Sequence, residues 1–549
     1  MSDTQHTGIP TGTVPFVDRT DGEPPAPGQY DLVVVSNRLA VDRVVDEQGN
    51  ASWQRSPGGL VTALAPIMAS EEGAWVGWNG APQDSEDADQ ATDPFDHDGM
   101  HLVPVPLSEQ DIEEYYAGFS NATLWPIYHD VIARPEFHRQ WWDTYQQVNA
   151  RFARAAAQTA SEGATVWVQD YQLQLVPRML RRLRPDLRIG YFHHIPFAPV
   201  EIFAQLPWRR PVLEGLLGAD LIGFQRTSDV ENFQRSVERI LGETFTSGSL
   251  EVEDLDGGSR TVAAEAFPIS IDAQTVTALA ADPEIQARSR QIREELGNPQ
   301  TILLGVDRLD YTKGIRHRIK AFAELLEDAQ VTVEQACLVQ VASPSRENVE
   351  TYRELRDEIE LSVGRVNGTF DTMGHTAIRY LHHSYPVEEM VALYLAADVM
   401  LVTALRDGMN LVAKEYAAVR GDWGGVLVLS EFAGAADQLR DALLVNPHDI
   451  DGLKDAIMEA IQMDPQDARR RMGAMHRQVL TNDVAKWSRD FLDRLGGRTK
   501  RRRPRPEDAV QSAFMDTDDD RERREDEHAE QAEQAEEARR AEQLRLADD

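Results

Sequence analysis

Residues 399–416 read VMLVTALRDGMNLVAKEY. The opening run, VMLVTAL, is nearly continuous in apolar character rather than alternating. That pattern predicts a strand covered on both faces. Gly408 then breaks the chain, and MNLVAKEY resumes with helical spacing. Strand, turn and helix in this order make half of a βαβ unit, the building block of parallel sheets. Arg406, Asp407 and Gly408 fall at the carboxyl end of the strand, where doubly wound sheets hold their ligands. Glu415 follows about a turn and a half into the helix.

The same pattern recurs along the chain. DLVVVS (31–36), AWVGW (74–78), TVWVQD (165–170), RIGYFHH (188–194) and DLIGFQ (220–225) lie in the first half. TILLGVD (301–307), CLVQVAS (337–343), VMLVTA (399–404), GVLVLS (425–430) and ALLVNP (442–447) lie in the second. Helical patterns such as VNARFARAAAQTA and VEEMVALYLAADV separate most of them. The expectation is an α/β protein of two doubly wound, Rossmann-like lobes, joined at PISID (268–272) and facing each other across a cleft. The lobes should span 30–267 and 268–495, with a last helix at about 480–495 crossing back to the first. Residues 1–29 are polar and rich in Pro, Gly and Thr, and 496–549 form a basic and then acidic low-complexity tail. Both read as disordered.

Bulk properties exclude several classes. A chain of 549 residues is too long for one ordinary core. Its formal net charge of −36 argues against a nucleic-acid partner, because phosphate backbones demand an excess of Lys and Arg. No apolar stretch reaches the roughly 20 residues of a membrane helix, and the N-terminus lacks a secretory apolar region. The lone Cys337 cannot form an intrachain disulfide, which fits a cytoplasmic setting.

The residues at the strand ends carry the functional signal. They are Ser36-Asn37-Arg38, Trp78-Asn79-Gly80, Asp170-Tyr171, His193-His194, Asp307-Arg308 with Lys313 following, Ser345-Arg346 and Arg406-Asp407-Gly408. Arg38, Arg308, Arg346 and Lys313 at such positions, in a chain this acidic, point to an anionic ligand. Arg308 and Lys313 share one loop, where a guanidinium fork and a compact ammonium can neutralise a diphosphate without a metal. SPGGLVTAL (56–64) sets a glycine pair before a helical stretch, which suits close backbone approach to an anion. Neither GxGxxG nor GxxxxGKS is present. His193 and His194 are adjacent on a strand and point to opposite faces, so they cannot share a metal; one is expected in the crevice and one in the core. YYAGFSNATLWP (115–126) suits either packing against a sugar ring or a hydrophobic lid.

SNRLA, PGGL, GWNG, EYYAGFSNATLWP, QDYQLQLVP, HHIPFAP, GFQ, VDRLDYTKG, SPSR and LRDGMNLVAKEY follow one another in this order. Together they resemble the trehalose-6-phosphate synthase family, retaining glycosyltransferases of the two-lobed GT-B fold, over roughly residues 31 to 490. The resemblance implies transfer of glucose from a nucleoside-diphosphate glucose, UDP-glucose first and ADP- or GDP-glucose next, to glucose 6-phosphate. It implies no cofactor and no metal, a cytoplasmic location and a homo-oligomer, dimer or tetramer. By motif match, Arg38, Tyr116, Trp125, Asp170 and Arg346 would hold the acceptor. Gly59, His194, Arg308, Lys313, Asp407, Gly408, Met409, Asn410, Leu411 and Glu415 would hold the donor, with Glu415 on the ribose. Arg308, Lys313, Asp170 and His194 would carry the chemistry, and Trp78 would sit in a closing loop. Gln169 and Gln172 replace the family's usual histidines, and His375 replaces a usual aromatic, which leaves fine substrate choice open. A glucosylglycerol-phosphate synthase or a pseudo-glycosyltransferase is the nearest alternative. A catalytically silent regulatory homologue would be expected to lose the phosphate-gripping cations, which are all present.

Overall fold

A computed structural model describes residues 28–45, 51–56, 61, 64, 68, 73–83, 93–253, 257–346, 349–421 and 424–497. Gly59, most of the first 29 residues and nearly all of the tail lie outside them. Gly28 and Gln29 are described, and their amides donate to the carbonyls of Ala160 and Thr159.

Among the described residues, two large sheets organise the chain. The first has nine strands in the spatial order Ser249–Glu253, Ser259–Ala266, Leu221–Phe224, Arg188–Phe192, Ala160–Gln169, Tyr30–Arg38, Ala74–Trp78, Met100–Pro104 and Phe95–His97. Only the two outermost pairs are antiparallel. The second sheet is parallel throughout, in the order Ile378–Leu381, Ala336–Ser343, Thr301–Arg308, Val399–Val402, Val426–Ser430 and Leu443–Val445. All ten apolar runs form strands, although the strand in RIGYFHH ends at Phe192 and leaves His193 and His194 in the loop beyond it. The continuity of the runs has the predicted cause: every residue of Ala74–Trp78 and of Val426–Ser430 is buried. Helices cover both faces, and each fully buried Val, Leu or Ile contributes about 1.5–3 kcal/mol.

The strand order fixes where ligands can enter. In the first sheet the winding reverses between Tyr30–Arg38 and Ala160–Gln169, which pair in parallel with Val33 beside Val166. In the second it reverses between Thr301–Arg308 and Val399–Val402, with Leu303 beside Val399. Diverging helices open a crevice at such a switch point. Arg38 and Asp170 end the first pair of strands; Arg308, and then Arg406 and Asp407, follow the second.

The helix Val484–Leu495 returns to the first sheet. Phe491 is fully buried and stacks on Trp167 at 4.4 Å. Gly190 and Gly223 make room for it: a Cβ on either would approach the Phe491 ring or Leu495 to 2.8 Å.

Candidate active site

The residues expected to meet the acceptor lie near the first switch point. Arg38 packs over the Trp78 ring at 4.7 Å and pairs with Asp42. Gly80, at φ +90°, leaves space that its guanidinium fills. Tyr116 is half-buried beside Trp78, with ring centroids 6.3 Å apart. The segment that supplies Tyr116 is a π-helix over Ile112–Leu124, continued by Trp125–Tyr128. Arg38, Trp78, Tyr116 and Asn121 of the first lobe and Ser345 and Arg346 of the second line a cavity of about 340 Å3. Buried Asn121 Nδ2 has no protein partner among the described residues, so a ligand oxygen there would find a donor.

Arg346 crosses between the lobes. It stacks on Trp125 with its guanidinium carbon 4.0 Å from the ring centre and donates to Tyr171 Oη at 3.3 Å. On its own side it donates to Asp310 Oδ2 at 3.1 Å and to Tyr352 Oη. Its backbone takes φ +50°, an uncommon conformation for arginine. Arg308 is exposed at its strand end, with its guanidinium 5.7 Å from the same Trp125 ring.

Lys313 sits in a short 3-10 turn, Tyr311–Lys313, and its ammonium reaches Asp407 Oδ2 at 2.6 Å. Burial pushes the Asp407 carboxyl up, but the charge and hydrogen bond of Lys313, with smaller help from His129 and the Asn410 hydrogen bond, together hold the group below the usual range. Gly408 then runs against the first lobe, where a Cβ would meet the His194 carbonyl oxygen at 2.3 Å. Met409 is buried, with its carbonyl taking the Ala435 amide at 2.8 Å. Asn410, at φ +73°, caps the helix Leu411–Val419 by accepting from the Ala413 amide. Glu415 is partly buried and takes a hydrogen bond from Tyr394 Oη at 2.7 Å; burial raises its carboxyl.

Asp170 adopts φ +74° at its strand end and accepts from the His194 amide at 3.2 Å. Burial raises its carboxyl to about 6, although backbone donors and Arg308 and Arg346 pull the other way. His194 is held neutral by burial, its pKa lowered to about 3, and its Nε2 meets Gln169 Oε1 at 2.9 Å. An amide oxygen only accepts, so Nε2 carries the proton and Nδ1 is left as the acceptor. His193 instead packs in the core against Tyr128, Phe197 and Phe224.

The family model for glycosyltransferase family 20 matches residues 30–496. The chain belongs to this family. A trehalose-6-phosphate synthase of Mycolicibacterium gilvum is 55% identical over 502 residues, which cover 91% of this chain and 98% of that protein. A UDP-forming α,α-trehalose-phosphate synthase of Burkholderia xenovorans, solved in complex with glucose-6-phosphate, is similar at 33% identity and a TM-score of 0.77. It covers 85% of this chain and 99% of that one. An Escherichia coli structure bound with UDP-2-fluoro glucose is similar at 34% identity and TM-score 0.76, over 84% of this chain and 98% of that one.

Within this family fold, the departures from pattern have different standing. Gln169 touches His194 directly. Gln172 is a buried residue whose backbone carbonyl receives Asn149 Nδ2 at 3.0 Å. His375 lies beside Gly297, in the loop that leads into the amino end of Thr301–Arg308, at the opposite end of that strand from the site.

Sequence reasoning missed several residues here. Arg318 is fully buried and binds Thr403 Oγ1, the Leu401 carbonyl, Asp307 and the Lys313 carbonyl. It thereby ties both strands of the second switch point to the lysine turn. Gly305 is a glycine for this reason, since a Cβ would lie 2.2 Å from the Arg318 guanidinium. Asp310, Tyr352 and Asn121 were also passed over. The available signal for Asp310 was its place between Arg308 and Lys313; Arg318, in mid-helix, offered none.

Proposed function

We propose that the chain transfers glucose from a nucleoside-diphosphate glucose to glucose 6-phosphate, giving α,α-trehalose 6-phosphate with the anomeric configuration retained. The observation that carries this reading is the cavity shared by both lobes, in which two arginines, Arg38 and Arg346, stand beside the aromatic faces of Trp78 and Tyr116. Cations for a phosphate and rings for a sugar face are what a sugar phosphate needs. Arg346 and Arg38 take the phosphate, with Trp125 beneath Arg346; Tyr116 and Asp170 meet the sugar. Arg308 and Lys313 take the donor diphosphate. Asp407 and the Gly408–Leu411 backbone hold the transferring glucose, and Glu415 holds the ribose diol.

The chemistry then rests on positioning and on charge. The acceptor hydroxyl attacks the anomeric carbon on the face from which the diphosphate departs. As that carbon–oxygen bond breaks, negative charge grows on the leaving phosphate beside Arg308 and Lys313, which lowers the barrier in a dry cleft. The leaving phosphate oxygen takes the acceptor proton. Neutral His194, with Nδ1 as acceptor, suits orienting the glucose near its 6-hydroxyl rather than acting as a charged acid. Closure of the Trp78 segment and of the lobes completes the site.

A cytoplasmic location, no nucleic-acid partner and a homo-oligomer go with this reading. Size-exclusion chromatography with light scattering tests the last. No helix among the described residues is long and apolar enough to cross a membrane. The direct test of substrate choice compares glucose 6-phosphate with glycerol 3-phosphate as acceptor, using UDP-, ADP- and GDP-glucose in turn. Glucose 6-phosphate is expected to give the higher kcat/KM with at least one donor. A preference for glycerol 3-phosphate with every donor overturns the acceptor assignment.

A further inference from the structure

Asp310 follows the strand Thr301–Arg308 by two residues, and its side chain is fully buried. Its two carboxylate oxygens serve different masters. Oδ1 accepts from the Thr312 amide at 3.0 Å and caps the turn that carries Lys313. Oδ2 accepts from Arg346 Nη1 at 3.1 Å and from Tyr352 Oη at 3.0 Å. Arg346 has only 5% side-chain exposure, so Asp310 is its buried counter-ion. One carboxylate therefore touches both the arginine stacked on Trp125 and the turn whose lysine reaches Asp407.

We propose that Asp310 is a positioning residue that holds Arg346 and the Lys313 turn as one unit, and thereby couples the two substrate affinities. The proposal rests on the assignment of Arg346 to the acceptor phosphate and Lys313 to the donor diphosphate. A buried guanidinium without its partner charge is strongly disfavoured and turns toward water. Arg346 would then leave the Trp125 face, and an anion arriving in the cavity would meet a cation that must first be reordered.

The sign of the effect separates positioning from background charge. Asp310→Asn removes one negative charge from among Arg308, Lys313 and Arg346, while the amide oxygen can still cap the turn. If Asp310 acted only through its field, the variant would bind both anionic substrates more tightly. Under the proposal it binds them more weakly. The KM for glucose 6-phosphate rises about 30-fold or more. The KM for the nucleotide sugar rises too, and the effect of one substrate on the affinity for the other shrinks toward none.

Steady-state kinetics on the full chain, with each substrate varied at saturating levels of the other, test this. A folded D310N with both KM values lowered or within twofold of wild type overturns the proposal. Y352F keeps the Asp310 charge and the Thr312 cap but loses both hydrogen bonds of the Tyr352 hydroxyl, the one it accepts from Arg346 and the one it donates to Asp310. It raises the acceptor KM and spares the donor KM. If D310N does not fold, an unmoved acceptor KM in Y352F overturns the proposal. R346A separates the two levels. An unchanged acceptor KM there overturns the site assignment and this proposal with it. A weakened R346A beside an unmoved D310N overturns the proposal alone.

Discussion

Two side chains test the site one residue at a time. The Lys313 ammonium is paired with Asp407 and stands beside the proposed diphosphate. Lys313→Ala is expected to lower kcat about 100-fold or more, the scale of losing one donor to developing charge. Turnover within twofold of wild type contradicts its role. Asp170 gives a stability test that runs opposite to an ordinary salt-bridged carboxylate. Burial raises its pKa from 3.8 to about 6, so the folded form binds a proton more tightly than the unfolded chain. Stability is lost as pH rises from 3.8 through 6, and the cost is full above that range. Asp170→Asn removes the cost. Its Tm should exceed that of wild type at high pH, with the difference closing as pH falls toward 4, while its activity drops. A Tm gain largest in acid contradicts the assignment of cause. Arg38, Arg308, Lys313 and Arg346 stood out in the sequence as candidates because a cation at a strand end has few structural reasons to be there. Arg318 did not, because its value lies in four acceptors contributed by two strands and a turn.

At the scale of elements, the parallel strands were legible and the edges were not. A strand covered on both faces must be largely apolar, and most of the ten runs are so. Phe95–His97 and Ser249–Glu253 lie at the margins of their sheet, and Val41–Val45 with Ala51–Arg55 makes a separate hairpin. Such strands mix polar and apolar residues and look like loops. The π-helix over Ile112–Leu124 was visible only as an aromatic segment, because its wide turns leave no 3.6-residue period. The expected last helix runs over Val484–Leu495 and seats Phe491 between Trp167 and Phe192. Phe491→Ala should destabilise the chain by about 3–5 kcal/mol, measured by urea unfolding. Loss of less than about 1 kcal/mol contradicts the packing described.

Across the whole molecule, the lobes meet through contacts between residues far apart in sequence. Arg226 and Asp437 are 211 positions apart and form two hydrogen bonds of 2.8 Å. Arg406 reaches Asp130 at 3.2 Å and Asp229 at 3.7 Å on the first lobe. No local pattern predicts such pairs. At Gly408 the missing side chain lets its loop lie on the His194 carbonyl of the first lobe. Gly408→Ala should push this loop off the first lobe and cost about 100-fold in kcat, the scale of a misplacement of about 1 Å. Its Tm should fall far less than that of Phe491→Ala. The central claim is that the cations at the two switch points assemble one glucosyl-transfer site between the lobes. NMR of a reaction of purified protein with UDP-, ADP- or GDP-glucose and glucose 6-phosphate tests it most directly. Formation of α,α-linked trehalose 6-phosphate with release of the nucleoside diphosphate is the predicted result. Hydrolysis to free glucose alone, or no turnover with any of the three donors, would contradict it.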